Sequence, residues 1–241
     1  MSILSFIVNF IYPPRCSVCN TFLSQKGLIC EHCLSKLREL EPPFCRICSA
    51  PFYGAEEDIH ICEDCLRKRP HFTSLSSPYV YEGTASTAVR LFKFQKRAAV
   101  GKLLGTLLKE YSLSWWKKIK QKKEEEYVIV PVPLAPKRLR QRGFNQSLIL
   151  ARYVSNSLKV PVDYLSLRRT KDTLPQSLLS PKERKKNVKD AFQVKGDNLK
   201  GKRIILVDDV ATTGNTLNEC AKVLKKAGAI EVRCLVFARA I

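Results

Sequence analysis

RIILVDDVATTGNTL, residues 203–217, runs from four apolar side chains into two carboxylates and then into threonines around a glycine. Ile204, Ile205, Leu206 and Val207 form the short continuous apolar run of a strand buried on both faces in a parallel sheet. Beyond Gly214, the residues Leu217, Cys220, Ala221 and Leu224 recur at helical spacing, and Gly228 stands where a helix cap falls. The stretch therefore reads strand, loop, helix.

A loop that enters a helix N-terminus presents unpaired backbone N–H groups and the positive end of the helix dipole, and so binds phosphate. Thr212, Thr213 and Thr216 add hydroxyl donors around Ala211, Gly214 and Asn215. Asp208 and Asp209 would repel a bare phosphate, and the G-K-[ST] pattern of a nucleotide-binding P-loop is missing. The expected ligand carries hydroxyls beside its phosphate, as ribose 5-phosphate does, with the acidic pair accepting hydrogen bonds from the 2′- and 3′-hydroxyls. The opposing reading is two solvated aspartates closing a strand before an ordinary capped helix. The motif resembles the phosphoribosyl pyrophosphate (PRPP) motif of type I phosphoribosyltransferases.

Eight of the ten cysteines form four CxxC pairs: Cys16/Cys19, Cys30/Cys33, Cys45/Cys48 and Cys62/Cys65. Two thiolates three positions apart converge on one metal, and two pairs complete a tetrahedral Cys₄ site, so eight ligands imply two structural zinc ions. Sequential pairing, which leaves 10 and 13 residues between knuckles, is expected. Interleaved pairing of first with third and second with fourth is the alternative. Disulfides are disfavoured without a secretion signal, and thioredoxin-like motifs without a βαβ setting. About 70 residues with so few core apolars need such staples to fold. His32 and His60 stand beside knuckles as substitute ligands or surface residues, while Cys220 and Cys234 read as small buried hydrophobes.

The 241 residues suffice for one core and a small satellite domain, here 1–70 and 71–241. The net charge of +20 is unevenly spread: residues 1–70 carry eight of each sign, so the whole excess lies from His71 onward. Such a field favours polyanions, whether nucleic acid or a pyrophosphorylated metabolite, and also serves solubility. No apolar run approaches the roughly 20 residues of a membrane span. MSILSFIVNFIYPP at the start lacks a basic n-region and a cleavage site. It reads as a docking helix in a cytoplasmic protein without membrane insertion, with a signal peptide as the weaker reading.

VIVPVPLA, 128–135, is a strand ending in prolines, and PKRLRQRGFNQ after it reads as a basic turn in which Gly143 brings backbone near a ligand. Leu148, Ala151, Val154 and Leu158 make the apolar face of a helix over about 145–157. DYLSLRRT, AFQV and EVRCLVFA supply strands, and WWKKIKQKKEEE, 115–126, a charged connection. Alternating strands and helices point to a mostly parallel α/β sheet.

With the zinc knuckles, YVYEGTASTAVRLFKFQKR, PVPLAPKRLRQRGFNQS, RRTKDTLPQSLLSPKERKKNVKDAF and VDDVATTGNTL, the chain resembles the ComF family over nearly its whole length. The resemblance implies a double zinc ribbon, a type I phosphoribosyltransferase fold, and a part in bringing transforming single-stranded DNA into bacteria. It also implies that Asp208 and Asp209 meet the ribose and that Ala211, Thr212, Thr213, Gly214, Asn215 and Thr216 meet the 5′-phosphate. Pro131 to Arg138 would be the pyrophosphate loop, and 169–188 a loop closing over PRPP, with Arg138 and Arg184 meeting its charge. Mg²⁺ is expected with the pyrophosphate, and the zinc region with residues 71–110 stands where the acceptor hood belongs. Tyr79, Tyr81, Phe92, Phe94 and Phe144 read as a strand-binding groove or as core. The function expected is PRPP binding with single-stranded DNA handling, partnered by a DNA-uptake helicase; the alternative is a metabolic phosphoribosyltransferase acting on a base or amine.

Overall fold

The computed structural model describes residues 13–25, 27–52, 60–95, 97–119, 126–171 and 188–241. Two short helices, α1 (Glu31–Ser35) and α2 (Glu63–Arg67), open on the second knuckles of the two Cys₄ groups. Then follow β1 (Ser74–Ser76), β2 (Tyr79–Val80), α3 (Gly83–Gln95), α4 (Ala98–Ile119), β3 (Tyr127–Pro131), α5 (Pro136–Arg142) and α6 (Gln146–Leu158). β4 (Leu167–Arg169), β5 (Phe192–Val194), β6 (Arg203–Ala211), α7 (Asn215–Lys226) and β7 (Glu231–Arg239) complete the order.

The central sheet is parallel. β6 lies between β3 and β7, with Val130 opposite Leu206 and Cys234 opposite Leu206 on the other side. β1 and β2 follow one another along the outer edge of β7. Within 71–110, expected together with the zinc region in place of the acceptor hood, Ser74–Ser76 and Tyr79–Val80 are thus strands of the sheet. β4 and β5 form a separate antiparallel pair.

The continuous apolar run of β6 is explained by its two covered faces. Ile205 and Val207 pack with Leu235, Phe237 and Ile129 against α3, α4 and α6. Ile204 and Leu206 pack with Val232, Cys234 and Val236 against α7, β4 and β5. Leu217, Cys220, Ala221 and Leu224 are the buried stripe of α7, as their spacing requires. Cys45, Ile47 and Cys65 belong to this second cluster, so the second Cys₄ unit shares the apolar core of the sheet.

Three expectations change in detail. The stretch 115–126 is helical as far as Ile119, and Trp115 is buried in the core with Nε1 donating to Ser76 Oγ at 2.9 Å. On α6 the core face uses Leu150 beside Ala151, Val154 and Leu158, whereas Leu148 is half-buried. The basic turn is helix α5, because Pro136 opens it and Gly143, at φ 82, stops it. Gly143 donates to Leu139 O at 2.8 Å; its left-handed backbone ends a helix. The N-terminal stretch 1–12 and Arg184, with most of its loop, lie outside the described residues.

Candidate functional site

β6 is longer than its apolar run and carries the acidic pair as strand residues. Asp208 stands opposite Val236 of β7, and Val210 and Ala211 continue the ladder. Asp208 Oδ1 accepts from Ser147 Oγ at 2.7 Å and from the backbone N–H of Asp209 at 2.9 Å. Withdrawal from water, then the charge of Asp209, pushes the Asp208 carboxyl up to about 7, with Ser147 and Lys93 pulling the other way. Asp209 is buried, and its Oδ2 lies 2.9 Å from Lys93 Nζ. Burial weighs against the Lys93 charge, but Asp209 and Asp208 hold its pKa above the ordinary lysine value.

Lys93 and Ser147 are therefore site residues that motif reading missed. A signal existed for Lys93. It falls one turn after Val89 and beside Phe92 on the buried stripe of α3, where a lysine needs an anionic partner. Ser147 sits in the first turn of α6, capped by Asn145, whose Oδ1 accepts from the Ser147 N–H at 3.0 Å. Asn145 Nδ2 in turn donates to Val132 O at 3.1 Å, so the end of β3 sets the position of α6.

Thr212, Thr213 and Gly214 are all that separates β6 from α7. Gly214 takes φ 71, and α7 opens there without a side-chain cap; Asn215 and Thr216 form its first turn. The sequence-derived phosphate loop is thus strand end, tight turn and helix N-terminus. Within reach of the acidic pair, Arg142 at the end of α5 donates from Nη1 to Gln146 Oε1 at 2.6 Å and feels the charges of Asp209, Arg138 and Asp208. Lys137, Arg138 and Arg140 are on the same helix.

Of the five aromatics, Phe92 is core, Tyr79 stacks on Phe237 at 5.2 Å, and Phe144 stacks on Phe92 at 5.2 Å. Tyr81 is half-buried. Phe94 alone among them is exposed, with the Arg142 guanidinium 5.9 Å from its ring centre. Two positions along a helix turn the side chain to the opposite side, which separates Phe94 from Phe92.

The cysteines pair sequentially. Cys16, Cys19, Cys30 and Cys33 form one group and Cys45, Cys48, Cys62 and Cys65 the other, the sulfurs of each lying within 4.8 Å of one another. Cys19 and Cys30 approach to 3.6 Å, as do Cys48 and Cys62. Tetrahedral zinc with Zn–S near 2.3 Å places its sulfurs about 3.8 Å apart, so the donor set fits that ion. Asn20 and Ser49, just past the first knuckle of each group, take φ 66 and 54, which closes the turn. His32 and His60 are outside both groups.

Residues 7–66 match the double zinc ribbon domain family and 144–241 the phosphoribosyl transferase domain family. The chain is 34% identical to "Competence protein F" of Haemophilus influenzae, over 94% of this chain and 97% of that one. It is 32% identical to "DNA utilization protein YhgH" of Escherichia coli over 86% and 89% of the two chains. With "Competence protein ComFC" of Bacillus subtilis the identity is 28% over 83% and 79%. Among solved structures, the glutamine PRPP amidotransferase of B. subtilis aligns with a TM-score of 0.37 at 19% identity, over 57% of this chain and 26% of that one, too slight a likeness to carry an argument. Two Cys₄ groups ahead of a parallel sheet whose central strand carries an acidic pair and turns into an uncapped helix, together with these relatives along nearly the whole chain, make the protein a member of the ComF family.

Proposed function

We propose that the chain binds PRPP where β6 runs into α7, and that it handles single-stranded DNA in natural transformation. The observation that carries the reading is the acidic pair in β6, whose strand ends at Ala211, three residues before the uncapped helix N-terminus at Gly214, with Lys93 on Asp209 and Ser147 on Asp208. Asp208 and Asp209 receive the ribose hydroxyls; Ala211, Thr212, Thr213, Gly214, Asn215 and Thr216 receive the 5′-phosphate. Mg²⁺ arrives on the pyrophosphate oxygens. For turnover, pyrophosphate leaves C1′, positive charge grows on the ribose beside the carboxylates, and Arg138 and Arg184 meet the departing charge. The two zinc sites are structural, and the division is a ribbon domain, 1–70, and a phosphoribosyltransferase domain, 71–241.

DNA handling is supported by the names of the relatives, by the charge excess beyond residue 70, and by exposed Phe94 next to Arg142 at the end of a four-cation helix. An aromatic face with adjacent cations is what a single strand stacks on. This role calls for a cytoplasmic location and a DNA-uptake helicase as partner. The test is Asp208→Asn with Asp209→Asn, measured by calorimetry with PRPP and by fluorescence anisotropy with oligo-dT. Each lost charge-assisted bond costs about 1.5 to 3 kcal/mol, so PRPP affinity should fall more than about a hundredfold while DNA binding persists. Retained PRPP affinity overturns the reading. Joint loss with an intact melting curve means that DNA and PRPP share one site. Pyrophosphate release on mixing the two ligands decides whether the protein turns over.

A further inference from the structure

Arg239, at the end of β7, is 9% exposed and touches two parts of the molecule at once. Its Nε donates to Cys48 O at 3.1 Å. Its Nη1 donates to Ala211 O at 3.2 Å, to Thr212 O, and to Ala240 O at 2.6 Å. One guanidinium thus holds the carbonyl of a metal-ligand residue and the carbonyls of the two residues that open the phosphate loop. Its donors are fixed in a plane, so displacing one set of carbonyls displaces the other.

Neighbouring contacts stiffen the same bridge. Leu75 N–H donates to Ile47 O at 2.7 Å, and Ser49 Oγ donates to Leu75 O, fixing the Cys45/Cys48 knuckle against β1. Phe72, buried in the cluster that holds Cys45 and Cys65, lies 4.0 Å from where a Cβ on Gly214 would stand. The first Cys₄ group packs elsewhere, with Val18 and Ile29 against the opposite face of the sheet.

We infer that Arg239 is a positioning residue that couples the second Cys₄ site to the phosphate loop, so that metal in one and PRPP in the other strengthen each other. The inference rests on the ribose-phosphate reading above. Coupling of this kind is reciprocal: if the ligated knuckle presets the loop, a filled loop must retain the metal by the same factor. The first group serves as an internal control.

The experiment uses the zinc-loaded full chain, exposed to a chelator and a thiol-alkylating reagent with and without PRPP and Mg²⁺, the modified cysteines being located by mass spectrometry. PRPP should slow alkylation of Cys45, Cys48, Cys62 and Cys65 by about tenfold and leave Cys16, Cys19, Cys30 and Cys33 unchanged. Arg239→Lys keeps the charge without the fork; it should keep about two zincs by metal analysis, lose the selective protection, and bind PRPP about tenfold more weakly. Equal protection of both groups, or none, overturns the coupling, and the wild-type comparison decides this even where the variant does not fold. Protection that survives in folded Arg239→Lys overturns the role of Arg239. Calorimetry on the wild type separates the two levels: no PRPP binding overturns the ribose-phosphate reading and the coupling with it, whereas binding without selective protection overturns the coupling alone.

Discussion

Asp208 is a carboxyl whose position works against its own ionisation. Withdrawn from water beside Asp209, it protonates at about 7, whereas an unfolded aspartate does so near 3.9. The folded state therefore holds this proton more tightly than the unfolded state. The stability it contributes is full below about pH 4 and is lost as the pH rises towards 7. Asp208→Asn keeps an acceptor for Ser147 Oγ and removes the charge. At pH 7.5 it should stabilise the free protein by on the order of 2 kcal/mol, or about 5 °C in Tm. The gain should shrink towards zero at pH 4, and a Tm unchanged or lowered at pH 7.5 would show that Asp208 is not strained. Lys93 poses the reverse case. Lys93→Met leaves Asp209 as a buried charge without its 2.9 Å partner, and urea denaturation should show a loss of about 3 kcal/mol. Adding Asp209→Asn should recover most of it, since the buried charge that Lys93 pairs at 2.9 Å is then gone.

Among the elements, α4 depends on two glycines for its approach to its neighbours. A Cβ at Gly101 would stand 2.7 Å from the Phe92 ring of α3, and one at Gly105 would stand 2.3 Å from the Tyr153 ring of α6. Alanine normally improves a helix interior by about 0.5 to 1 kcal/mol, but forcing atoms into a packed contact costs about 1 to 3. The contact at Gly105 includes the root of the tyrosine ring, which cannot swing aside. Gly105→Ala should therefore lower stability by about 1 to 2 kcal/mol, checked by its denaturation midpoint. A stabilised Gly105→Ala would mean that α4 and α6 separate without penalty. α5 shows local chemistry at work: Pro136 and Gly143 delimit a helix in a segment whose charge alone suggested a turn.

At the scale of the whole molecule, the +20 charge predicts a strong salt dependence of binding to single strands. If Lys137, Arg138 and Arg140 each meet a phosphate, replacing all three with glutamine should reduce the slope of log affinity against log salt by about 2 for oligo-dT. An unchanged slope in anisotropy titrations would put the DNA surface on another face. The described helices include none long and apolar enough to cross a membrane.

Much of this molecule was written locally in its chain. The two-faced burial of β6, the stripe of α7, the tight turn between them and the sequential cysteine groups each depend on residues a few positions apart, where periodicity and spacing carry the information. Even there, the apolar run did not reveal that Asp208 and Asp209 belong to the strand, because its ladder is completed by β7. The partners of the acidic pair come from other elements: Lys93 from α3 and Ser147 from α6, the latter 61 positions away from Asp208. Arg239 reads as an ordinary strand-end cation, yet it meets Cys48 across 191 positions. A lone lysine, serine or arginine has no periodicity to betray its role. Local spacing determined which chemistry the chain carries; the stacking of helices and ribbon on the sheet decided which distant charges hold it in place, because desolvated polar groups must find partners wherever the fold brings them.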